Sequence, residues 1–313
     1  MTAPVNKNAT KEARRLLQYL YDTAGNGIIT GQHTQTNPME EIGHIRKITG
    51  KEPKLRGFEL LSYSPNINFE DASEACLTEV YENQKTLDAA IEWAKNNDGI
   101  VTLTFHWFSP LGGRDKSFFS EHTDFDAEKV LQPETPERTA FYQDMDKIAK
   151  ELQRFQSEKI PVLWRPFHES EGTWFWWGAK GPETAAKLYK LMYDYYTNVH
   201  HLDNLLWVWN CPEKEGYPGD GYVDIISVDI YLEHYQKTDY EEAYQKLIHA
   251  TSKNKVAALA EIGYLPDIHM LEQSRIPWAY FMVWSKEFCI GEQYNKTENL
   301  KAVYQSNYAI TLP

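Results

Sequence analysis

Eight short segments of the chain are almost continuously apolar and rich in β-branched and aromatic residues. Continuous apolar character, rather than alternation, is typical of strands that are buried on both faces, as in a parallel sheet. The segments cover residues 27–31, 53–60, 100–107, 161–168, 205–210, 224–231, 256–263 and 278–284. We therefore predict eight buried strands.

Amphipathic stretches separate these segments, and they predict helices over residues 10–21, 79–96, 139–156, 182–200 and 240–251. Strand and helix alternating eight times in about 300 residues is typical of a (β/α)8 TIM barrel, an α/β fold. A doubly wound sheet is the alternative, but the chain contains neither G-x-G-x-x-G nor a Walker sequence. Because no linker interrupts the pattern, we predict a single domain over residues 1–313.

Composition narrows the range of partners. Of the 313 residues, 42% are apolar, and 32 basic against 45 acidic side chains give a net charge of −13. A surface this acidic repels nucleic acid and anionic membranes, so a neutral or cationic ligand is expected. The three cysteines are widely spaced, and no apolar run is long enough for a membrane span. We expect a monomer.

Polar and aromatic residues collect where the predicted strands end. In a TIM barrel the carboxyl ends of the strands form the active site. Acidic side chains at the end of an apolar strand are costly unless they are paired or shift their pKa. The candidate site residues are His33, Glu59, His106, Trp107, His168, Glu169, Asp229, Tyr231, Glu261 and Trp284.

Glu169 and Glu261 are the candidate catalytic residues. They stand at the ends of the fourth and seventh predicted strands, which places them on opposite sides of the barrel mouth. Two facing carboxyl groups can cleave a glycosidic bond, one as an acid and the other as a nucleophile or base. The structural alternative is that one of them forms an ion pair with Arg165.

An aromatic run follows Glu169 closely. Trp174, Phe175, Trp176 and Trp177 are consecutive, and we expect some of them to face a groove where flat rings pack against sugars. The whole segment 161–178, PVLWRPFHESEGTWFWWG, closely resembles the acid/base segment of glycoside hydrolase family 26, R-P-x-H-E-x-x-G-x-W-F-W-W-G. Further segments agree in order, including GQH at 31–33, FHW at 105–107, VDIISVDIY at 223–231 and LAEIG at 259–263.

This resemblance covers residues 25–310 and implies a retaining (β/α)8 glycosidase. It implies that Glu169 is the acid/base and Glu261 the nucleophile, and that no metal or organic cofactor is needed. It further implies substrate-binding roles for several other strand-end residues, which with Trp107 complete the predicted site. These residues are His106, His168, Trp174, Asp229, Tyr231 and Trp284.

The resemblance favours an endo-acting enzyme on β-1,4-mannan, with mixed-linkage β-glucan and β-1,3-xylan as alternatives. Two departures from the family pattern concern the substrate more than the reaction. Glu171 stands where many mannanases have Asn, and Ser285 where some have Arg. The loop 111–126 could leave the groove open or block one end, which would decide between endo and exo action.

Two other classes of protein remain as alternatives. A metal-dependent hydrolase could use His33, His106, His168 and Asp229 as zinc ligands, although H-x-H and H-E-x-x-H are both absent. A glycan-binding barrel without catalysis would grip sugar through the aromatic residues alone. Because polymeric substrate cannot enter a cell, we expect export, although the polar start MTAPVNKNAT contains no leader.

Overall fold

Eight parallel strands close into a barrel in the computed structural model, which describes residues 3–35 and 39–313. The closing contact joins the last of these strands to the first, with Val283 opposite Gln32. The (β/α)8 prediction is therefore confirmed. In barrel order the strands are β2 (Gly31–His33), β4 (Leu55–Glu59), β5 (Ile100–Thr104), β6 (Val162–Arg165), β7 (Leu205–Asn210), β8 (Ile225–Ile230), β9 (Val256–Ile262) and β10 (Trp278–Val283).

The first predicted strand differs from the observed one. Residues 27–31 were expected to form it, but the barrel strand is β2, and β1 (Ile28–Ile29) pairs instead with β10 and with β11 (Ala309–Leu312). A short antiparallel pair between β11 and β3 (Glu52–Pro53) extends this edge. Gly31 allows the backbones of β2 and β10 to approach each other closely. A Cβ atom at this position would lie 2.2 Å from the carbonyl oxygen of Phe281.

Helices cover the outside of the barrel. Those of the described residues are α1 (Lys11–Thr23), α2 (Glu40–Thr49), α3 (Glu74–Glu82), α4 (Thr86–Asn97), α5 (Pro136–Ser157), α6 (Pro182–Asn198), α7 (Glu241–Ile248), α8 (Ile268–Ser274) and α9 (Thr297–Gln305). None of them is both long and apolar enough to cross a membrane. The helix α1 packs its leucines under the barrel, against a cluster that includes Ile29, Leu55 and Ile100.

The single helix predicted over 79–96 is wrong, because the chain forms α3 and α4 there. The side chain of Asn83 donates to the carbonyl of Glu79 at 2.9 Å and ends α3. Lys85 then adopts a left-handed φ of 61°, which no continuous helix contains. The amphipathic pattern is continuous across this break, so the periodicity alone could not reveal it.

A bulge in β9 turns one catalytic candidate toward the barrel axis. Val228 pairs with Leu259, but the next pair is Asp229 with Glu261, so β9 has one extra residue. Leu259 packs in the outer layer and Ala260 in the inner cluster, so strict alternation would point Glu261 outward. The extra residue instead brings its carboxylate to the same face as Asp229.

Candidate active site

Three carboxyl groups meet at the carboxyl ends of the strands. Asp229 and Glu261 are the penultimate residues of β8 and β9, and Glu169 lies in the loop after β6. One oxygen from each lies within 4.8 Å of the others. The two predicted catalytic residues are therefore neighbours in space, with Asp229 as a third acid.

Arg165, the last residue of β6, connects two of these acids. Its Nη1 lies 2.6 Å from Oδ2 of Asp229, and its Nη2 lies 2.5 Å from Oε2 of Glu261. The ion pair that the sequence offered as a structural alternative is thus present. Burial lowers the pKa of Arg165, but the two carboxylates outweigh it and raise that pKa, so the guanidinium stays charged.

Each glutamate has a further hydrogen-bond donor. The hydroxyl of Tyr231 donates to Oε1 of Glu261 at 2.5 Å, and Nε1 of Trp174 donates to Oε2 of Glu169 at 2.7 Å. Tyr231 and Trp174 are 42% and 46% exposed, whereas Glu261 is buried beneath them. These two aromatic rings therefore form the solvent-facing part of the site.

The backbone around Glu169 is fixed in an unusual conformation. Glu169 has a left-handed φ of 54°, as does Phe167 two residues earlier with 53°. The amide of Glu169 donates to Oδ1 of Asn210 at 2.8 Å, and Nδ2 of Asn210 donates to Asp229 at 2.8 Å. Backbone strain at a side chain that is held by such partners is typical of functional sites.

Electrostatics raise the proton affinity of the cluster. Burial, followed by the charge of Asp229, raises the pKa of Glu169 to about 7. The same two causes raise the pKa of Glu261, and its hydrogen bond from Tyr231 acts in the opposite direction. Because these acids interact strongly, their apparent pKa values belong to the group and not to any one carboxyl.

Two histidines continue the floor of the site. Nδ1 of His106 lies 2.8 Å from Oε2 of Glu59, and Nε2 of His106 lies 3.2 Å from Nε2 of His168. Burial lowers the pKa of His106, but the attraction of Glu59 outweighs it and raises the pKa overall. Burial, followed by the charge of His106, lowers the pKa of His168, which favours its neutral form.

Trp107 does not lie in the cleft with the other predicted residues. It is 2% exposed, donates from Nε1 to Oδ2 of Asp144 at 2.9 Å and stacks on Phe141 of α5. The predicted contact of Trp107 with substrate disagrees with this placement. Alternation explains it, because Phe105 and Trp107 face the helices while His106 faces the barrel axis.

The aromatic run is mostly core. Trp174 alone is exposed, while Phe175, Trp176 and Trp177 are at most 5% exposed. Nε1 of Trp177 donates to the carbonyl of His168 at 2.8 Å, which ties the run to the segment that carries Glu169. Trp284 stands on the opposite side of the site, with its ring 3.9 Å from that of His33.

Three site residues were not given roles in the prediction. Glu59 appeared there only as a strand-end acid, Arg165 only as a structural ion-pair partner, and Asn210 only as the end of a strand. Arg165 follows the inward-facing Leu163 by two positions, so alternation along β6 could have placed it in the site. Glu59 and Asn210 contact residues that are distant in sequence, so no local sequence pattern could have predicted these contacts.

The two departures from the family pattern lie at the edges of this site. Glu171 is partly buried, and this burial raises its pKa to about 7. Ser285 is 3% exposed and follows Trp284 at the other side.

Across the described parts of the chain, the one group arranged like metal ligands consists of Glu169, Asp229 and Glu261. Arg165 already supplies positive charge to two of these three carboxylates. The histidines of the zinc alternative are not part of the group. The donor set therefore fits a carboxylate pair with an arginine better than a zinc centre.

With this barrel and this carboxylate pair established, the comparisons with known proteins agree. Residues 5–312 match the profile of glycosyl hydrolase family 26, so the chain belongs to that family. It is similar to the mannan endo-1,4-beta-mannosidase of Thermothelomyces thermophilus, with 36% identity over 98% of this chain and 62% of the relative. The mannan endo-1,4-beta-mannosidase A of a Piromyces species is 32% identical over 96% of this chain and 48% of its own length.

Solved structures show the same similarity. The GH26-CBM35 beta-(1,4)-mannanase of Podospora anserina has a TM-score of 0.86 and 36% identity, covering 98% of this chain and 67% of that chain. A beta-mannanase from a symbiotic protist of the termite Reticulitermes speratus, complexed with gluco-manno-oligosaccharide, has a TM-score of 0.86 and 28% identity, covering 99% of this chain and 96% of that chain. The chain spans about half to two thirds of the length of the two curated relatives above.

Proposed function

We propose that the protein hydrolyses β-1,4-mannan chains internally, with retention of anomeric configuration, through Glu261 as nucleophile and Glu169 as acid/base. The observation that carries this proposal is the approach of the Glu169 and Glu261 oxygens to within 4.8 Å. Retaining glycosidases separate their carboxyl groups by about 5–5.5 Å, whereas inverting enzymes need about 6.5–9.5 Å to admit a water molecule.

In the first step Glu261 attacks the anomeric carbon and Glu169 protonates the departing glycosidic oxygen. Glu261 accepts hydrogen bonds on both oxygens, from Arg165 and Tyr231, and this favours its ionised form. Glu169 accepts a side-chain hydrogen bond from Trp174 alone among its described neighbours. A proton shared by the cluster is therefore best placed on Glu169.

In the second step the roles of Glu169 reverse. The carboxylate left after proton donation removes a proton from water, and that water attacks the glycosyl–Glu261 ester. Glu261 leaves as a carboxylate that Arg165 and Tyr231 again stabilise. Both steps use only the sugar, one water molecule and side chains of this chain.

The remaining site residues bind the sugar around the cleaved bond. Trp174 and Trp284 offer apolar ring faces, and His106 and Tyr231 offer polar edges. Asp229 and His168 are buried, so we assign them to orienting the groups that touch substrate. Trp107 has no place in this assignment because it lies in the core.

The choice of mannan rests on the mannanases to which the chain is similar, including the protist enzyme complexed with a gluco-manno-oligosaccharide. The net charge of −13 agrees with a neutral polymer rather than an anionic one. Because a polymer that cannot enter a cell has to be hydrolysed outside it, we propose that the protein acts outside the cell. We also propose that it acts as a monomer.

The test is hydrolysis of a panel of soluble polysaccharides by the wild type and by Glu169→Ala and Glu261→Ala. Release of reducing ends from galactomannan and glucomannan, lost in both variants, is the expected result. Faster hydrolysis of lichenan or β-1,3-xylan than of the mannans would show that β-glucan or β-xylan, and not mannan, is the substrate. Sugar binding without hydrolysis by any of the three proteins would instead support a glycan-binding barrel.

A further inference from the structure

Asn295 lies in the loop after β10, just before α9 begins at Thr297, and its side chain is buried, with 5% exposure. Its Nδ2 donates to the carbonyl of Gly263 and to that of Phe288, both at 2.8 Å. Its Oδ1 accepts from the amide of Leu265, also at 2.8 Å. One uncharged side chain therefore joins the loop after β10 to the loop after β9 through three backbone groups.

Both residues that accept from Nδ2 of Asn295 lie next to Tyr231. The ring of Phe288 lies 5.2 Å from the ring of Tyr231, centroid to centroid, at an angle of 62°. Gly263 leaves room for this packing, because a Cβ atom there would lie 3.1 Å from Cε1 of Phe288 and 3.2 Å from Cδ1 of Tyr231. The amide of Gly263 also donates to the carbonyl of Ile230, the residue before Tyr231, at 3.2 Å.

Phe288 also contacts a second tyrosine. Its ring lies 4.3 Å from that of Tyr294, the residue before Asn295, and Tyr294 in turn lies 5.4 Å from Tyr264 of the loop after β9. Tyr231, by contrast, is 42% exposed, so the buried part of its ring rests on this aromatic group. The direction of its hydroxyl therefore depends on where the two loops hold Phe288.

We propose that Asn295 is a positioning residue that keeps the hydroxyl of Tyr231 on Oε1 of Glu261. That hydroxyl donates at 2.5 Å, and a bond to a charged group loses strength when its geometry is disturbed. Asn295 acts through the loops after β9 and β10, which it fixes around the tyrosine ring. This inference rests on the proposed function, because it takes Glu261 as the nucleophile.

The charge around Tyr231 and Glu261 comes from elsewhere in the barrel. The charged and titratable groups that act on these two residues are Arg165, Glu169, Asp229 and His106. The three hydrogen bonds of Asn295 all go to backbone groups and involve none of these side chains. Replacing Asn295 by alanine therefore removes no charge, and it reaches the nucleophile through the positions of the loops.

The experiment is a double-mutant cycle of Asn295→Ala and Tyr231→Phe, read as kcat/KM on soluble β-mannan across pH. We expect Asn295→Ala to lower kcat/KM by about 3–10-fold, less than Tyr231→Phe, because a displaced hydrogen bond keeps part of its strength. The bond from Tyr231 lowers the pKa of Glu261, so its displacement should move the acidic limb to higher pH. The double variant should lose no more than Tyr231→Phe alone, because the hydroxyl to be positioned is already absent.

Losses that multiply in the double variant would overturn the inference, and so would an unmoved acidic limb in Asn295→Ala. Absence of hydrolysis by the wild type would count against the proposed function instead. The two failures are therefore distinguishable.

The matched control is Asn204→Ala, at the amino-terminal end of the barrel. Asn204 is 1% exposed and donates from Nδ2 to the carbonyl of Ile160 at 2.9 Å, just before β7 begins. Its replacement also removes a buried amide that holds a loop, and the acidic limb should stay that of the wild type. An equal shift in this control would overturn the inference, because it would show a general effect of lost stability.

A second variant covers the case in which Asn295→Ala does not fold. Phe288→Leu keeps the backbone carbonyl that Asn295 binds and removes the ring that packs on Tyr231. We expect the same upward shift of the acidic limb, and no added loss when it is combined with Tyr231→Phe. A wild-type acidic limb in Phe288→Leu would overturn the inference.

Discussion

Arg165 lies 2.5 Å from Glu261, and the same guanidinium reaches Asp229 through its other terminal nitrogen. One buried cation therefore offsets two buried carboxylates. In an apolar interior an unpaired carboxylate is expensive, so the arginine both stabilises the fold and favours the ionised form of the proposed nucleophile, against the burial and the charge of Asp229 that raise its pKa.

We expect Arg165→Met to lower the free energy of unfolding by about 3–5 kcal/mol, because it leaves two buried carboxylates without their cation. Urea denaturation at neutral pH measures the change. The control is Arg114→Met, an exposed arginine whose loss should stay within about 0.5 kcal/mol. Equal stabilities of the two variants would show that Arg165 does not carry this role.

Tyr231→Phe removes one donor from Glu261 while keeping the ring. Hydrogen bonds to charged groups contribute about 1.5–3 kcal/mol, so kcat/KM should fall by about 10–100-fold. The same hydrogen bond lowers the pKa of Glu261, and its loss raises that pKa, so the acidic limb of the pH profile should move to higher pH. Tyr235→Phe, at an equally exposed tyrosine, should change neither quantity.

The alkaline limb of the pH profile reports on Glu169. Its protonated form donates the proton, so kcat/KM should fall as pH rises through the raised pKa of about 7. The hydrogen bond from Trp174 lowers this pKa, and Trp174→Phe should therefore move the alkaline limb to higher pH. An alkaline limb at the ordinary pKa of a glutamate, in both proteins, would contradict the assignment.

The variant Trp107→Phe tests whether Trp107 contributes to the stability of the core or to the binding of substrate. Since Trp107 packs against α5 and donates to Asp144, we expect the free energy of unfolding to fall by about 1–3 kcal/mol. The KM for soluble mannan should remain that of the wild type. A large rise in KM with unchanged stability would restore the predicted role of Trp107 in substrate binding.

The positions of the strands could be predicted because each strand is buried on both faces and leaves a continuous apolar signal. The carboxylate pair could be predicted as candidates because acids at strand ends are rare in apolar segments. The orientation of Glu261 could not be predicted from the sequence, because it depends on one extra residue in β9 that only the pairing with β8 reveals. Alternation along β5, by contrast, was available in the sequence and would have placed Trp107 outside.

The aromatic run shows a second limit. Four consecutive rings after Glu169 predicted a groove, but three of them fill the space between loop and barrel and only Trp174 faces solvent. A run of apolar residues in a loop can be covered by another loop, and the sequence gives no sign of that partner. Here the loop after β5 is the partner, through hydrogen bonds from Ser120 to Thr173 and Trp174.

Replacing the two glutamates should have unequal effects. Without Glu261 no glycosyl–enzyme ester can form, and kcat/KM for Glu261→Ala should fall by at least about 10⁴-fold. Glu169→Ala should lose about 10²–10⁴-fold, and less on aryl mannosides whose leaving group needs no proton. Equal losses on both kinds of substrate would argue against Glu169 as the acid.

The most direct test of the two-glutamate account is the configuration of the first product formed, followed by ¹H NMR during hydrolysis of a β-1,4-manno-oligosaccharide. Carboxyl oxygens within 4.8 Å leave no room for a water on the far face of the sugar, so two displacements are required. We predict that the β-anomer appears first and mutarotates later. Initial appearance of the α-anomer would contradict the roles assigned to Glu169 and Glu261.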